Sequence, residues 1–215
     1  MTAMKLYNYF RSSASWRVRI GLAIKGLAYD YVSVHLAKNE QFAGLFAEQQ
    51  ASHLVPALVL DDGRWLSQSM AILEYLDEAH PEPALLPQDL VARAQVRALA
   101  QDIACDIHPL NNLRVLRHLK SGMGHSQEEV DAWYRHWIAT GLTIVEQRLQ
   151  QTAGRFAFGD TPGLADCLLV PQVYNAQRFD CPLDAYPTLM RVNEACLALP
   201  AVASTHPSVC PDAAA

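Results

Sequence analysis

The chain has 215 residues, 51% of them hydrophobic and 18% charged, with a formal net charge of −5. That length buries a core in one large or two modest domains, and an acidic balance without a basic cluster excludes a nucleic-acid surface. No apolar run is long enough to span a membrane, and the five cysteines (105, 167, 181, 196 and 210) form no CxxC pair, so a reducing, cytoplasmic setting is expected, without a disulfide framework, a metal site or a membrane partner.

The first eighty residues alternate strand and helix signals. Lys5–Phe10 (KLYNYF) reads as a strand. Ser13–Lys25 reads as a helix, with Trp16, Ile20, Ala23, Ile24 and Leu27 recurring near a helical period and Gly26 at the C-terminal glycine position. Tyr29–Leu36 is β-branched and aromatic, a second strand, and residues 39–48 carry a weak helical pattern. Pro56–Leu60 and Arg64–Ser67 are short strands around the turn signal DDG. A helix then starts at Ser69, with Ile72, Leu73 and Leu76 inward. The order βαβαββα predicts an α/β sheet packed by helices.

The proline-rich run HPEPALLPQD follows, and residues 81–90 read as a linker between a first domain, 1–80, and a second, 91–215. Strand signals nearly vanish beyond it. Val91–Lys120 is one long helical pattern, kinked at Pro109. Ser126–Glu129 is a capping box opening a helix with Val130, Trp133, Trp137, Ile138, Ile144, Val145 and Leu149 on or near one face. FGDTPGLADCLLVPQVYNAQRF gives a helix apolar nearly all round, and YPTLMRVNEACLAL gives the last. Met1–Ala3 reads as an extension and Pro211–Ala215 as a disordered tail.

Three short stretches carry chemistry. Arg11-Ser12-Ser13-Ala14-Ser15 lies where the first strand turns into a helix. A helix N-terminus offers unpaired N–H groups and the positive end of a dipole, so it attracts anions. A hydroxyl bonded to a thiolate lowers the thiol pKa, and with no cysteine here a reacting thiol would have to come with the ligand. Plain capping by serine is the other reading of the same residues. Val55-Pro56 opens a strand, and a Val-Pro there either leaves the Val55 N–H and C=O to a peptide-like ligand or makes an ordinary turn. Gln68-Ser69 stands between a strand and a helix, a second anion site or a second cap.

In that order and spacing, the three stretches resemble the thioredoxin-like domain of a glutathione transferase. YFRSSASWRVRIGLAIKG is similar to the zeta-class signature SSCSxRVRIALxLKG, and LLPQD, DIHPLNN, FGDTPGLADCLLVPQV and YPTL extend the resemblance along essentially the whole chain. The class includes maleylacetoacetate and maleylpyruvate isomerases. The resemblance implies a thioredoxin-like domain followed by an all-α domain, reduced glutathione as cofactor, a small dicarboxylate substrate, and a homodimer with the thioredoxin-like domain of one chain against the helical domain of the other. It implies that Ser12 faces the glutathione sulfur, with Ser13 as its neighbour and substitute, and that Val55 pairs with the cysteinyl backbone. Gln68 and Ser69 would hold the γ-glutamyl end, and Gln41 and His53 lie in the loop that reaches the glycine end.

His108 and Asn112, four apart, match positions lining the active site in relatives. Arg11, Arg178 and Arg114 are the cations expected to hold the substrate carboxylates, although on an unbroken helix Arg114 would point about 120° from His108. Arg17 and Arg19 are expected in structural pairs or facing solvent. Ala14 replaces the family cysteine, so weak thiol-exchange activity is expected. Asp166 matches the family's helix-capping position, with Gly163 where a Ser or Thr usually stands and Thr161-Pro162 as another cap. The implied reaction is cis–trans isomerisation of a maleyl keto diacid in aromatic catabolism, with a borrowed thiolate as nucleophile. The alternative is a conjugating or dehalogenating transferase, which would need neither Arg11 nor Arg178. A non-enzymatic scaffold would have lost part of the set Ser12, Val55, Gln68 and Ser69. The absence of a cysteine over residues 11–16 argues against a disulfide reductase.

Overall fold

Strand β1 (Lys5–Asn8) is central to a four-stranded sheet of order β2-β1-β3-β4. It pairs in parallel with β2 (Asp30–Ser33) and antiparallel with β3 (Ala57–Val59), which pairs antiparallel with β4 (Trp65–Ser67). Strands β1 and β2 are shorter than their apolar runs suggest. Ladder pairing of β1 ends at Asn8, where the Tyr9 carbonyl turns back to accept the Ser12 N–H at 3.0 Å. Between strands lie α1 (Ser13–Ile24) and α2 (Gly44–Gln49), the latter preceded by two short 3₁₀ turns, and α3 (Ser69–Ala79) closes the motif. The computed structural model describes residues 4–213, and it forms two units, Met1–Leu85 with Ala198–Ala215, and Leu86–Leu197.

One core of the first unit joins Leu6, Val18, Leu22, Leu58, Ile72 and Leu76, all fully buried. Helix α1 is buried on almost every side, so its cations turn inward. Lys25 Nζ donates to Asp77 Oδ1 at 2.9 Å and to the carbonyls of His80 and Pro83, while Asp77 also accepts the Leu85 N–H at 2.7 Å. The proline-rich run is thereby fastened to the first unit. Gly26 ends α1 at φ 65°, a backbone state that glycine enters at little cost.

The segment after Leu197 also belongs to this unit. Its short helix α9 (Pro200–Ala203) leads to Thr205, which accepts the Trp16 indole N–H at 2.9 Å. The tail does not run free as its composition suggests. Pro211–Ala213 form a turn and Asp212 is only 5% exposed. Residues 214 and 215, like the N-terminal extension 1–3, lie outside the described residues.

The second unit is helical throughout. Helices α4 (Leu90–Gln101), α6 (Gln127–Thr152), α7 (Leu164–Arg178) and α8 (Pro187–Leu197) are its main elements. The long pattern from Val91 is not one kinked helix. After α4 come a π-helical turn, Asp102–Ile107, and a 3₁₀ turn, His108–Asn111. Asn112 is extended and caps a fresh short helix, α5 (Leu113–Arg117). The capping box at Ser126 and Glu129 opens α6 as expected. Along α6, Val130, Tyr134, Ile138, Leu142, Val145 and Leu149 form the buried stripe, and Ile144, out of phase with it, is exposed. Asp166 accepts the N–H groups of Gly163 (2.8 Å) and Ala157 (2.9 Å), which fixes the start of α7 without help from Thr161. Among the described residues no helix is long and apolar enough to cross a membrane.

Candidate active site

Sheet register brings the sequence-selected residues of the first unit to one end of the sheet. Ala57 at the start of β3 lies opposite Tyr7 near the end of β1 and opposite Ser67 at the end of β4. The junction beyond Asn8, the residues before Ala57 and the residues after Ser67 therefore share that end.

At the junction each serine has its own task. Ser12 is the N-cap of α1, its Oγ accepting the Ser15 N–H at 3.2 Å. That bond uses a lone pair and leaves the hydroxyl proton to donate elsewhere, so capping and ligand binding are compatible. The Ala14 N–H has no partner among the described residues. Ser13 is 5% exposed and Ser15 is fully buried, its hydroxyl accepting the Tyr9 N–H at 3.5 Å. Of the three hydroxyls, Ser12 is the accessible one. Beside it, exposed Arg11 donates Nε and Nη2 to the Tyr9 hydroxyl at 3.3 and 3.0 Å and lies over the Phe10 ring, 5.1 Å from its centroid. The guanidinium is thus braced but keeps donors to spare.

The Val55-Pro56 bond is cis, and Val55 is buried with neither its N–H nor its C=O bonded among the described residues. Nearby, the His53 ring bonds the Gln41 carbonyl at 3.1 Å. A carbonyl only accepts, so Nδ1 is the donor in this contact. Gln41 is buried and its Oε1 has no partner among the described residues.

Gln68 sits at φ 68°, a left-handed state uncommon outside glycine and found at ligand-holding turns. No side chain caps α3, so its first N–H groups stay open to an anion. Behind them is a residue set aside in the sequence, Arg17, whose Nη1 donates to Ser69 Oγ at 3.2 Å. Arg17 and Arg19 are both buried, neither one facing solvent. The available signal was a helix carrying Arg17, Arg19 and Lys25 with no continuous polar face to hold them. The unpaired Val55 groups, the open α3 terminus and the Ser12 hydroxyl offer partners for a peptide backbone, a carboxylate and a sulfur, the groups of reduced glutathione.

In the helical unit, His108 and Asn112 remain neighbours, with Nε2 and Nδ2 3.5 Å apart, although the helix breaks between them. Asn112 Oδ1 accepts the Arg114 N–H at 3.1 Å. The break removes the geometric objection to Arg114, because the 120° offset holds only on a continuous helix. Arg114 and Arg178 are both exposed, the latter over the rings of Tyr174 and Phe179, 5.9 and 5.8 Å from their centroids.

A mixed four-stranded sheet, a cis-proline opening β3, a hydroxyl at the start of α1 and an all-helical second unit define a glutathione transferase. Residues 2–78 match the family model of the glutathione S-transferase N-terminal domain. Over 215 residues the chain is 48% identical to a probable maleylacetoacetate isomerase of Vibrio cholerae, covering 99% of this chain and all of the relative. It is 45% identical, with a TM-score of 0.93 over 97% of this chain and 99% of the other, to a solved maleyl pyruvate isomerase described as a bacterial glutathione S-transferase of the Zeta class. It is 50% identical, with a TM-score of 0.89 over 98% of each chain, to a maleylacetoacetate isomerase from Anaeromyxobacter dehalogenans solved with GSH in the active site. The chain belongs to the zeta-class glutathione transferase family of maleylacetoacetate and maleylpyruvate isomerases.

Proposed function

We propose that the chain is a glutathione-dependent cis–trans isomerase converting a maleyl keto diacid, maleylpyruvate or maleylacetoacetate, to its fumaryl isomer. The observation that carries this reading is Ser12, accessible at the N-terminus of α1, with its oxygen spent on the cap and its proton free to donate. Bound glutathione supplies the thiolate that adds reversibly to the cis double bond, allows rotation about it and is not consumed. Ser12 holds the sulfur by donation, helped by the Ala14 N–H and the dipole of α1. Ser13, buried beneath it, lines the same turn. Val55 N–H and C=O pair with the cysteinyl unit. Gln68, Ser69 and the open end of α3 hold the γ-glutamyl carboxylate and amine. Gln41 and His53 meet the glycine end. Arg11, with Arg114 and Arg178 of the helical unit, supplies cations for the two substrate carboxylates. His108 and Asn112 act as polar contacts for cofactor or substrate.

The setting is a cytoplasmic pathway of aromatic catabolism, a reading supported by five free cysteines. A homodimer is supported by exposed apolar side chains, Phe42 with Leu45 and Leu90 with Val91, the last two 79% and 65% exposed. The experiment is the loss of maleylpyruvate absorbance with and without glutathione, beside the same assay on maleylacetoacetate. Loss that requires glutathione and leaves its amount unchanged is the expected result, and the rate ratio names the substrate. No isomerisation despite bound glutathione would leave a conjugating or dehalogenating transferase.

A further inference from the structure

The described chain closes on a buried carboxylate. Asp212 is 5% exposed, yet it lies near the end of the sequence, where polar residues ordinarily stay in water. Its Oδ2 accepts the Phe10 N–H at 3.1 Å and the Ser33 hydroxyl at 3.1 Å, and its Oδ1 accepts the Tyr31 hydroxyl. Burial, with the carboxylate as hydrogen-bond partner, pushes the Tyr31 phenol well above its ordinary range, so it stays a donor at every working pH. Phe10 stands two residues before Ser12.

The other side of the same residue is held by a cation. Arg19, 1% exposed, donates Nη2 to the Phe10 carbonyl at 2.9 Å and Nη1 to the Tyr9 carbonyl at 3.4 Å and Asn8 Oδ1 at 2.9 Å. Its Nε reaches the Thr205 carbonyl at 3.3 Å, in the same terminal segment that carries Asp212. The N–H of Phe10 therefore points at a buried anion and its C=O at a buried cation. Neither group belongs to the strand ladder or to a helix turn, so beside the Tyr9–Ser12 turn bond and the Ser15 hydroxyl, these two side chains hold the peptide that leads into Ser12.

We propose that Asp212 is a positioning residue for the sulfur-binding turn: it fixes the Phe10 peptide and, through it, the place and direction of the Ser12 hydroxyl and the first N–H groups of α1. The proposal rests on the reading of Ser12 as the thiolate partner. Charge-assisted hydrogen bonds to a backbone N–H are strong, and donors aimed at a developing charge work only when held in place beforehand. A carboxylate acting through its own field would work the other way, because a nearby negative charge disfavours a thiolate. The two mechanisms thus predict opposite shifts.

The test uses the full chain with Asp212→Ala and Asp212→Asn, read by the ultraviolet absorbance of bound glutathione thiolate across pH, by amide exchange at Phe10, and by thermal unfolding. Expected for Asp212→Ala is faster exchange at Phe10 and a thiolate-to-thiol ratio about tenfold lower, equivalent to about one unit upward in the bound thiol pKa. Asp212→Asn, which keeps one acceptor oxygen, falls between that variant and wild type. Tyr31→Phe, a milder change, shifts the thiol in the same direction by less. An unchanged thiol titration in a folded Asp212→Ala protein, or an unchanged one in Tyr31→Phe should the first variant not fold, overturns the proposal. A downward shift in Asp212→Asn overturns it too, in favour of a field effect. A wild-type protein that binds glutathione without ionising it removes the underlying reading of Ser12 instead.

Discussion

At the scale of single residues, one oxygen at Ser12 does two jobs that can be separated by measurement. Its lone pair caps α1 through the Ser15 N–H at 3.2 Å, and its proton is available to a sulfur. Ser12→Ala removes both. Losing the cap costs about 1 kcal/mol, which lowers the melting temperature by a few degrees. Losing a donor to the reacting anion costs roughly 10²–10³ in kcat. The expected variant is folded, slightly less stable and nearly inactive, and steady-state kinetics beside a melting curve read both effects. Turnover near wild type with the same stability loss would reduce Ser12 to a cap and return the role to Ser13 or the backbone. Residue type and spacing marked the helix starts at Ser12 and Ser69 and the Val55-Pro56 bond, because helix ends and Val-Pro bonds have strong local requirements, while the ligand roles of these residues came from the resemblance. Arg17, Arg19 and Asp212 were not legible. Their partners are the Ser69 hydroxyl, the Tyr9 and Phe10 carbonyls and the Phe10 N–H, which become neighbours only once the sheet and helix are packed.

At the scale of elements, apolar periodicity found the long helices but joined the run from Val91 into one. Val91–Lys120 read as continuous because the side chains on both sides of Asn112 keep a helical period. The backbone breaks there, since Asn112 prefers to cap α5 with its own side chain. A second feature of this kind joins two helices far apart in sequence. Glu146 of α6 accepts the N–H groups of Thr188 and Leu189 in the first turn of α8, at 3.1 and 2.8 Å, and the Gln150 amide at 3.2 Å. Burial alone would raise its pKa, but these bonds outweigh it and hold the carboxyl below its ordinary value of 4.5. A group whose folded pKa is depressed adds stability above its unfolded pKa and loses it as pH falls through the folded one. Glu146→Gln should therefore lower stability at neutral pH by roughly 1–3 kcal/mol. The gap to wild type should narrow as pH drops below about 4.5, as thermal unfolding at a series of pH values would reveal. A gap constant across that range would mean that the charge of Glu146 contributes nothing and only its shape matters.

At the scale of the whole molecule, the first unit is not a continuous stretch of chain. Helix α1 buries Trp16 and Arg19, and both find partners in the segment after Leu197: the Thr205 hydroxyl for the indole, the Thr205 carbonyl for the guanidinium. Asp212 from the same segment takes the Phe10 N–H. A domain cut at the proline-rich run would remove the Thr205 and Asp212 acceptors and open the groups they pair to water, while Arg19 keeps its bonds to Asn8, Tyr9 and Phe10; each hydrogen bond exchanged for water costs about 0.5–1.5 kcal/mol. Three such losses, together with the uncovering of the Trp16 ring, approach the lower end of the stability of a domain this size, about 5–15 kcal/mol. Residues 1–85 expressed alone should then show no cooperative unfolding and no glutathione binding, although they contain every side chain assigned to the cofactor in the first unit. Residues 1–85 joined by a flexible linker to residues 198–215 should regain both, read by near-ultraviolet circular dichroism and by calorimetric titration with glutathione. Cooperative folding of 1–85 alone would mean that Arg19 and Trp16 can be satisfied without the terminal segment. That outcome would separate the stability of the sheet from the shape of its active end, because the Phe10 peptide would still lack its carboxylate.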